Sequence, residues 1–360
     1  MLTRKIRTGI VFSVVVAFVV MIGITLYADA PRLFLALAHF PWEFLPIILG
    51  FTIFNYCWRF IKWHYYLKLL NIPLPWGRSL LVFLSGLSMA ITPGKVGELL
   101  KSYLLKQATG VPISRSSPII IAERLTDGIA MLALAASGLV LYRFGWELLL
   151  VLLLIGLSGI IVIQNRKLAL SLLTLGERLP GLARIAHLLR EFYESSYVLL
   201  QWRPLLLAIC IGLISWSGEC VALYFVYSGL GVPGGMDLFI KATFILAVSS
   251  LIGSASGLPG GLGTADGSML GLTRLLISTS ATLGGAATLL IRLCTLWFGL
   301  FIGVGAVIWF RSIQRVGVSI IGESGWEELL HRNTTISPMD GRLSSEETAS
   351  ASANTGEKTV

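Results

Sequence analysis

The chain has 360 residues, of which 55% are hydrophobic and only 13% are charged, and its mean hydropathy is +0.80. These values exclude a soluble globular protein and place the chain in a membrane. A helix needs about 20 apolar residues to cross the hydrocarbon core, so the length allows roughly six to eight crossings. The net charge is +9, but the basic residues form no patch interleaved with aromatic residues, which excludes a nucleic-acid partner.

The first predicted element is an uncharged run over residues 8–28, preceded by a basic segment. A signal peptide is the alternative, because the sequence Ala-Asp-Ala at residues 28–30 resembles a cleavage site. The run is longer than the usual apolar region of a signal peptide, about 7–15 residues, which favours an uncleaved transmembrane helix. Basic residues prefer the cytoplasmic side, so the N-terminus is expected inside the cell.

Apolar runs farther along the chain predict five more spans and two broken helical hairpins. The hairpins cover residues 79–106 and 237–279, where glycine and proline interrupt the apolar stretches. The other predicted spans are residues 44–63, 118–142, 148–165, 205–230 and 281–310. The predicted fold is therefore an all-α polytopic membrane protein with six spanning helices and two re-entrant hairpins.

Two segments are expected to lie outside the hydrocarbon. Residues 177–203 place apolar residues at helical spacing opposite charged ones, which predicts an amphipathic helix on the cytoplasmic face. Residues 317–360 are rich in Ser, Thr, Glu and Asn, with too few apolar residues for a core. The sequence thus predicts a membrane domain over residues 1–316 and a disordered cytoplasmic tail. We expect the cytoplasmic membrane of a prokaryote, with both termini inside.

The four cysteines indicate no disulfide, metal or cofactor site. No two of them have the CxxC spacing, and the four histidines form no His-x-x-x-His pair. All lie in apolar stretches, so we interpret them as small buried hydrophobic residues; they are Cys57, Cys210, Cys220 and Cys294.

The two broken hairpins share a pattern that indicates an internal repeat. Residues 93–97 and 259–263 both read Pro-Gly-x-(Val/Leu)-Gly, and an Arg-Leu pair follows each turn, at Arg124 and Arg292. The spacing from proline to arginine is 31 residues in the first half and 33 in the second. The charge distribution has the first hairpin entering from the cytoplasm and the second from outside, so the repeat is predicted to be inverted. Such repeats indicate a transporter-like binding site near the bilayer midplane.

The two glycine turns are candidate binding elements. Lipid cannot hydrogen-bond irregular backbone, so both turns are expected to line a polar cavity. The half-helix after each turn points its positive end inward, where an anionic group such as a phosphate is favoured. The alternative is that the glycines only permit close helix packing, which is the role expected of Gly299 and Gly303.

Charged residues inside the predicted spans are a second class of candidate, because each is costly in lipid unless it is paired or hydrated. Glu219 and Arg292 lie nearest the middle of their spans, and they could pair with each other, contact a substrate or hold the two halves together. Both are predicted substrate-binding residues, and we expect them to frame a hydrated pocket together with the two Pro-Gly turns. Glu123, Arg124 and Asp127 lie in the first turns of their span, either as an interfacial cluster or as part of a cavity lining.

The other charged residues in this part of the chain fall into two groups. Four flank the glycine turns, namely Lys95, Glu98, Asp266 and Arg274. Four basic residues are interpreted as anchors at the cytoplasmic surface, namely Arg59, Lys62, Lys101 and Lys106. From the first group, Lys95, Glu98 and Asp266 join the predicted substrate-binding residues.

Three short motifs, in order, resemble one protein family. They are Pro-Gly-Lys-Val-Gly-Glu at residues 93–98, Glu-Arg-x-x-Asp at residues 123–127 and Leu-Pro-Gly-Gly-Leu-Gly at residues 258–263. Over residues 5–315 the chain resembles the lysylphosphatidylglycerol synthase transmembrane region, also called the flippase-like membrane family. The resemblance implies a membrane domain with two re-entrant hairpins that translocates an aminoacylated lipid or accompanies glycolipid or polyprenol chemistry.

The resemblance also implies functional positions. These substrate-binding candidates are Lys95, Gly97, Glu98, Glu123, Arg124, Asp127, Pro259, Gly260, Gly261 and Gly263. The chain departs from the family in its second hairpin, where Thr264-Ala265-Asp266 stands in place of an acidic residue closer to the turn. The family's soluble aminoacyl-transfer domain is expected to be absent, so the resemblance does not imply synthase activity.

The sequence favours a protein that binds and translocates a phospholipid or a polyprenyl-linked lipid. One alternative is a scaffold for a separate synthase or glycosyltransferase. The other is a membrane-embedded enzyme that acts on a lipid head group, with Glu123 or Asp127 as acid or base. No nucleophile or metal motif is recognisable, so we predict no catalytic residue, no metal and no cofactor. No nucleotide-binding GxxxxGK[ST] loop is present, so transport would be passive, ion-coupled or driven by a partner.

Overall fold

A computed structural model describes residues 29–92, 97–142 and 186–313, together with residues 19, 22 and 23 and scattered positions between 150 and 171. The described residues form helices and connections, with no strand among them. The chain is therefore an all-α polytopic membrane protein. It divides into two units, Met1–Ile308 and Trp309–Val360, and the second is described only over Trp309–Ile313, at the end of the last helix.

Ten helices follow one another in the described residues. The first five are α1 (Ala30–Ala38), α2 (Leu45–Leu69), α3 (Trp76–Leu87), α4 (Leu99–Thr109) and α5 (Ile113–Tyr142). The next five are α6 (Ala186–Leu199), α7 (Trp202–Gly229), α8 (Met236–Ala255), α9 (Thr264–Leu276) and α10 (Ala281–Arg292). After α10 the helix continues through a π-helical turn, Leu293–Trp297, as far as Ile313.

Four helical segments of the described residues are long and apolar enough to cross a bilayer: Trp42–Leu69, Trp202–Gly229, Met236–Ala255 and Ala281–Ile313. Three of them match predicted spans. The fourth is α8, which the sequence predicted as one arm of a re-entrant hairpin. The predicted division of the chain into spans and hairpins is therefore not reproduced at α8. Helix α5 has 30 residues, also enough for a crossing. The tail over 317–360 and the predicted span over residues 8–28, apart from residues 19, 22 and 23, lie outside the described residues, and only scattered positions of 148–165 lie within them.

The two broken pairs differ in helix length. In the first pair, α3 has 12 residues and α4 has 11, so each is shorter than the roughly 20 residues of a crossing, as predicted. The turn between them, residues 93–96, lies outside the described residues. In the second pair, α9 has 13 residues but α8 has 20. Helix α8 is therefore long enough for a crossing, unlike α3, α4 and α9.

Two helix boundaries differ from the prediction in a way that matters for the site. Helix α2 ends at Leu69 rather than at residue 63, so Arg59 and Lys62 lie inside the helix and not at its end. Helix α5 begins at Ile113 with Pro118 inside it. Pro118 lies in the second turn, where it removes the bond that a backbone N–H would donate to Ser114 O, and the helix continues through it.

Helix α7 lies at the centre of the bundle and packs against α2, α5 and α8. Its buried side chains form an apolar core with residues of α8 and α10, including Leu223, Leu246 and Leu290. Two polar bonds connect α7 to α2: Asn55 Nδ2 donates to Ser215 O at 2.9 Å, and Ser215 Oγ donates to Asn55 O at 3.1 Å. A charge on α7 is consequently surrounded by protein.

The predicted amphipathic helix corresponds to α6, which packs against α5. Ser114 Oγ donates to the carboxylate of Glu191 across this contact, and Arg166 pairs with Glu194 at 2.9 Å. Residues 177–185 lie outside the described part of the chain.

The burial of the cysteines agrees with the prediction at two positions out of four. Cys220 and Cys294 are buried, whereas Cys57 and Cys210 are exposed on the outer surface of the bundle. Large apolar side chains such as Phe54 and Leu206 are exposed on the same helices, as expected where lipid is the solvent. The interpretation of Cys57 and Cys210 as buried is therefore wrong.

Candidate functional site

The two broken pairs meet inside the bundle. Ile91, just after α3, and Leu262, in the second turn, are both buried and pack in one cluster with Leu296, Trp297 and Leu300. A Cβ atom at Gly260 would lie 3.6 Å from Ala90 O. The end of the first pair's first helix therefore touches the glycine turn of the second pair.

The glycines of the second turn are required by its backbone. Gly260, Gly261 and Gly263 have φ angles of 60°, 67° and 83°, which side chains with a Cβ atom rarely adopt. Gly261 also packs against α8, where its Cβ would lie 3.0 Å from Gly253 Cα. Pro259 is buried and begins the short 3₁₀ turn Pro259–Gly261. These glycines therefore shape the turn, and Gly261 also permits close packing against α8.

Arg292 and Asp266 fasten the second turn. Arg292 Nε donates to Asp266 Oδ1 at 2.5 Å, and Arg292 Nη1 donates to Gly260 O at 3.4 Å. The other carboxylate oxygen of Asp266 accepts a bond from Gly263 N at 2.9 Å. Arg292 forms its ion pair with Asp266 and not with Glu219, so the predicted alternative of an Arg292–Glu219 pair is wrong.

A cavity of about 170 Å³ lies where the two pairs meet, and we call it the turn cavity. Three charged side chains line it: Arg59 from α2, Glu219 from α7 and Arg292 from α10. The other polar or backbone-exposing residues of the lining are Tyr56, Trp216, Ser249, Ser250, Gly253, Ser254, Gly260, Gly261, Thr295 and Gly299. Glu219, Arg292 and the second Pro-Gly turn thus line one pocket, whereas most of the first Pro-Gly turn, residues 93–96, lies outside the described residues.

Glu219 and Arg59 face the turn cavity without a direct partner. Glu219 is 8% exposed, and no described residue hydrogen-bonds or ion-pairs with it. The same holds for Arg59 within the described part of the chain, although its guanidinium lies 5.8 Å from the centre of the Trp216 ring. Arg59 and Arg292 are the cations whose charge acts on Glu219.

A second group of charges lies beside the first pair, and we call it the charged cluster: Lys62, Glu98, Lys101, Glu123, Arg124 and Asp127. Lys62 binds Asp127, and Lys101 binds Glu123. Arg124 contacts Glu98 at 3.4 Å and Asp127 at 3.3 Å. The cluster thus places three cations against three carboxylates.

The burial of the charged cluster corrects two predictions. Lys62 is 1% exposed and Lys101 is 4% exposed, so neither anchors the chain at a surface. Glu123 and Asp127 are also buried, so they do not form an interfacial cluster. Lys101 lies over the Trp63 ring at 4.6 Å, which adds a cation–π contact to its ion pair. Of the four predicted anchors, only Lys106 is an exposed side chain.

In each half of the chain, an arginine contacts an acidic residue near the glycine turn of the broken pair. In the first half, Arg124 of α5 contacts Glu98, the residue that precedes α4. In the second half, Arg292 of α10 contacts Asp266 in the first turn of α9. In both cases the helix that follows a broken pair holds an acidic residue at the start of the pair's second helix. Asp266 lies farther from its glycine turn than Glu98 does, and it still contacts the arginine of the following helix.

The first glycine turn is described only in part. Lys95 lies outside the described residues. Gly97 N donates to Thr92 Oγ1 at 2.9 Å, and a Cβ at Gly97 would lie 2.3 Å from that oxygen, so the position requires glycine. Arg274, which flanks the second turn, is exposed and donates to Thr279 O, away from the turn cavity.

Gly299 and Gly303 have the packing role expected of them. A Cβ at Gly299 would lie 2.4 Å from the Tyr56 hydroxyl, and one at Gly303 would lie 2.2 Å from Ser88 N. The last helix therefore packs directly against α2 and the end of α3. No group of three or more His, Cys, Asp or Glu side chains suited to a metal occurs in the described residues.

Sequence reasoning missed Arg59 as a lining residue and Lys62 and Lys101 as buried partners. The positive-inside rule assigned all three to the surface. A signal was present for the first two, because Arg59 and Lys62 are three residues apart and lie on one face of a helix.

Comparison with known families matches residues 10–303 to the lysylphosphatidylglycerol synthase TM region. The chain belongs to this family. A UPF0104 membrane protein of Methanothermobacter thermautotrophicus is 28% identical over 238 residues, which cover 60% of this chain and 69% of that protein. A UPF0104 membrane protein of Methanocaldococcus jannaschii is 25% identical over 197 residues, covering 52% of this chain and 78% of that protein. The family resemblance predicted from the three motifs is confirmed. The chain is therefore an integral membrane protein.

Proposed function

We propose that this member of the lysylphosphatidylglycerol synthase TM family binds the head group of a membrane lipid in the turn cavity and carries it between leaflets. The lipid is a phospholipid or a polyprenyl-linked lipid. One observation carries the proposal: a cavity with charged and hydroxyl side chains lies between two broken helix pairs in the interior of a membrane domain. Charged residues inside a membrane protein are costly, and they mark substrate or ion pathways.

The construction of the cavity supports this function. Irregular backbone at membrane depth is tolerated only where protein or a water-filled cavity satisfies it. The second turn meets this condition, because Arg292 binds Gly260 O and Asp266 binds Gly263 N. These contacts hold a polar surface open beside Glu219 for the head group, while the acyl chains remain in the bilayer.

We extend the proposal to the arrangement of the chain in the cytoplasmic membrane. Six helices cross the bilayer, the two broken pairs enter it from opposite faces, and both termini lie in the cytoplasm. In the second pair α9 is too short to cross, whereas α8 is long enough. The matching contacts of Arg124 with Glu98 and of Arg292 with Asp266 support an inverted repeat. The shortness of α3 and α4 supports re-entry of the first pair.

This arrangement is tested by labelling single cysteines with a membrane-impermeant maleimide in a variant without the native cysteines. Arg78→Cys and Lys106→Cys, at the two ends of the first pair, should both react from the cytoplasmic side. Asp237→Cys and Ser278→Cys, at the ends of the second pair, should both react from outside. Labelling of the two ends of either pair from opposite sides would show that the pair crosses the bilayer.

Translocation is tested with the purified full chain in liposomes that contain trace lipids labelled on an acyl chain. Dithionite bleaches only labels in the outer leaflet, so bleaching in empty vesicles stops at that fraction and should proceed further when the protein exchanges lipids. Arg292→Gln, which releases the second turn, should abolish the exchange, and Lys106→Gln, which removes an exposed charge, should not.

Exchange no faster than in empty vesicles, across phospholipids and a polyprenyl phosphate lipid, would refute transport by the isolated chain. Lipid extracts from the same vesicles also report on chemistry, since a changed head group would point to an enzyme. A scaffold would leave the lipids both unmoved and unchanged, and would bind a synthase or glycosyltransferase when the two are co-expressed.

A further inference from the structure

The charged side chains of the turn cavity differ from those of the charged cluster in their ion pairs. In the charged cluster, every one of the six charged side chains contacts a side chain of opposite sign. In the turn cavity, Arg292 has its partner in Asp266, but Arg59 and Glu219 have no ion pair or hydrogen bond within the described residues. The fold can therefore pair its buried charges, but it leaves the buried Glu219 and the partly exposed Arg59 unpaired.

Leaving Glu219 unpaired is costly. A buried charge loses its hydration, and only a partner of opposite charge with good hydrogen bonds offsets that loss. Arg59 carries five N–H donors in a planar fork and Glu219 offers two acceptor oxygens. The hydroxyl of Ser249, which also lines the turn cavity, is buried without a hydrogen-bond partner. Three polar groups on three different helices thus point to a ligand that supplies their partners.

The signs of the two charges define the chemistry of that ligand. A guanidinium fork matches the oxygens of a phosphate in a bidentate way. A buried carboxylate is matched by an N–H-bearing cation such as a primary ammonium. Because Arg59 and Glu219 face one cavity without touching each other, they present a positive and a negative group side by side, the complement of a zwitterion.

The size of the turn cavity limits the ligand further. Its volume of about 170 Å³ is below the roughly 300–1,000 Å³ of pockets that enclose drug-sized ligands. The cavity therefore suits a compact head group and is small for a sugar or for a head group extended by a long amino acid.

We propose that the turn cavity selects a compact zwitterionic head group of the phosphoethanolamine type, with its phosphate bound by Arg59 and its primary ammonium bound by Glu219. This inference rests on the proposed function for the path of the lipid, but it makes a claim about head-group recognition that can be tested separately.

The first test measures binding without transport. The purified full chain in detergent is titrated with soluble phosphoethanolamine, with phosphocholine and with inorganic phosphate, and the shift in Tm is recorded. Phosphoethanolamine should bind about tenfold or more tightly than inorganic phosphate, because it adds a charge-assisted hydrogen bond. Phosphocholine should fall between them, since its quaternary ammonium is charged but donates no hydrogen bond.

Single variants test which charged side chain binds the phosphate and which binds the ammonium. Glu219→Gln should reduce the affinity for phosphoethanolamine to about that for inorganic phosphate, and Arg59→Gln should weaken both ligands. Lys106→Gln is the matched control, because it removes an exposed charge outside the cavity, and it should bind like the wild-type chain. The ligand ranking of the wild-type chain needs no variant, so it remains a test if a substitution prevents folding.

The second test repeats the liposome exchange with acyl-labelled phosphatidylethanolamine and phosphatidylglycerol. The ethanolamine lipid should exchange faster, and Glu219→Gln should remove the difference. Equal Tm shifts with phosphoethanolamine and inorganic phosphate, or faster exchange of the glycerol lipid, would overturn the inference while leaving transport intact. Selective binding of phosphoethanolamine without any lipid exchange would support the inference and refute translocation.

Discussion

The charged cluster and the turn cavity are two polar regions of one membrane domain with opposite properties. The cluster joins α2, α4 and α5 through contacts between oppositely charged side chains, among them Lys62 with Asp127. The turn cavity is lined by the second turn and by residues of α2, α3, α7, α8, α9 and α10, and Arg59 and Glu219 form no ion pair there. Under our proposal, charged side chains inside this membrane domain either hold helices together or bind a ligand, and the pattern of ion pairs separates the two cases.

The largest effect is expected from breaking a pair in the charged cluster. Asp127→Ala leaves Lys62 buried at 1% exposure without its carboxylate, which should lower the free energy of unfolding by about 3–5 kcal/mol. Unfolding by SDS titration in detergent micelles measures this loss. The double variant Lys62→Met with Asp127→Leu should recover most of it, because it removes both charges. A stable Asp127→Ala variant would contradict a structural role for the cluster.

The second effect concerns the second turn. Gly261→Ala introduces a Cβ at a φ of 67° and 3.0 Å from Gly253 Cα, so we expect a loss of about 1–3 kcal/mol and slower lipid exchange. The matched control is Gly267→Ala in helix α9, where a Cβ would meet nothing within 4 Å. That change should raise stability by up to about 1 kcal/mol. Equal behaviour of the two variants would show that the turn does not require its glycine.

A smaller effect on stability is expected in the turn cavity. Glu219→Gln removes a buried charge that has no ion-pair partner in the described residues, so the free energy of unfolding without lipid should change by less than about 1 kcal/mol or rise. The same variant should lose head-group selectivity. A destabilisation as large as that of Asp127→Ala would show that Glu219 is structural, and the contrast between the two regions would then fail.

The smallest effect is expected at the surface. Lys106→Gln removes an exposed charge at the end of α4, and surface substitutions of this kind change the free energy of unfolding by about 0.5 kcal/mol or less. Lipid exchange should also be unchanged. A loss of exchange in this variant would place a functional charge outside both regions.

Much of the turn cavity could be predicted from the sequence. A charge in a long apolar run has few physical explanations, so Glu219 and Arg292 were predicted as part of a pocket. The Pro-Gly turns were predicted to approach a cavity because lipid cannot satisfy their backbone, and the structure places the second turn at the cavity wall. Family membership was also predictable, because three short motifs in order carry it.

Partner choice could not be predicted from the sequence. The positive-inside rule treats every basic residue near the end of a span alike, so it could not separate buried Lys62 from exposed Lys106. Arg292 pairs with Asp266 rather than Glu219 because α9 brings its first turn against α10, which is a result of packing. The length of α8 was likewise hidden, because its glycine at residue 253 does not interrupt the helix.

A cryo-EM map of the full chain in lipid nanodiscs that contain phosphatidylethanolamine tests the central claim most directly. We predict density for a lipid head group inside the turn cavity, with the phosphate within hydrogen-bond distance of Arg59 and the amine beside Glu219. A map in which all lipid head groups stay at the bilayer surface, with Arg59 and Glu219 joined in an ion pair, would contradict the account.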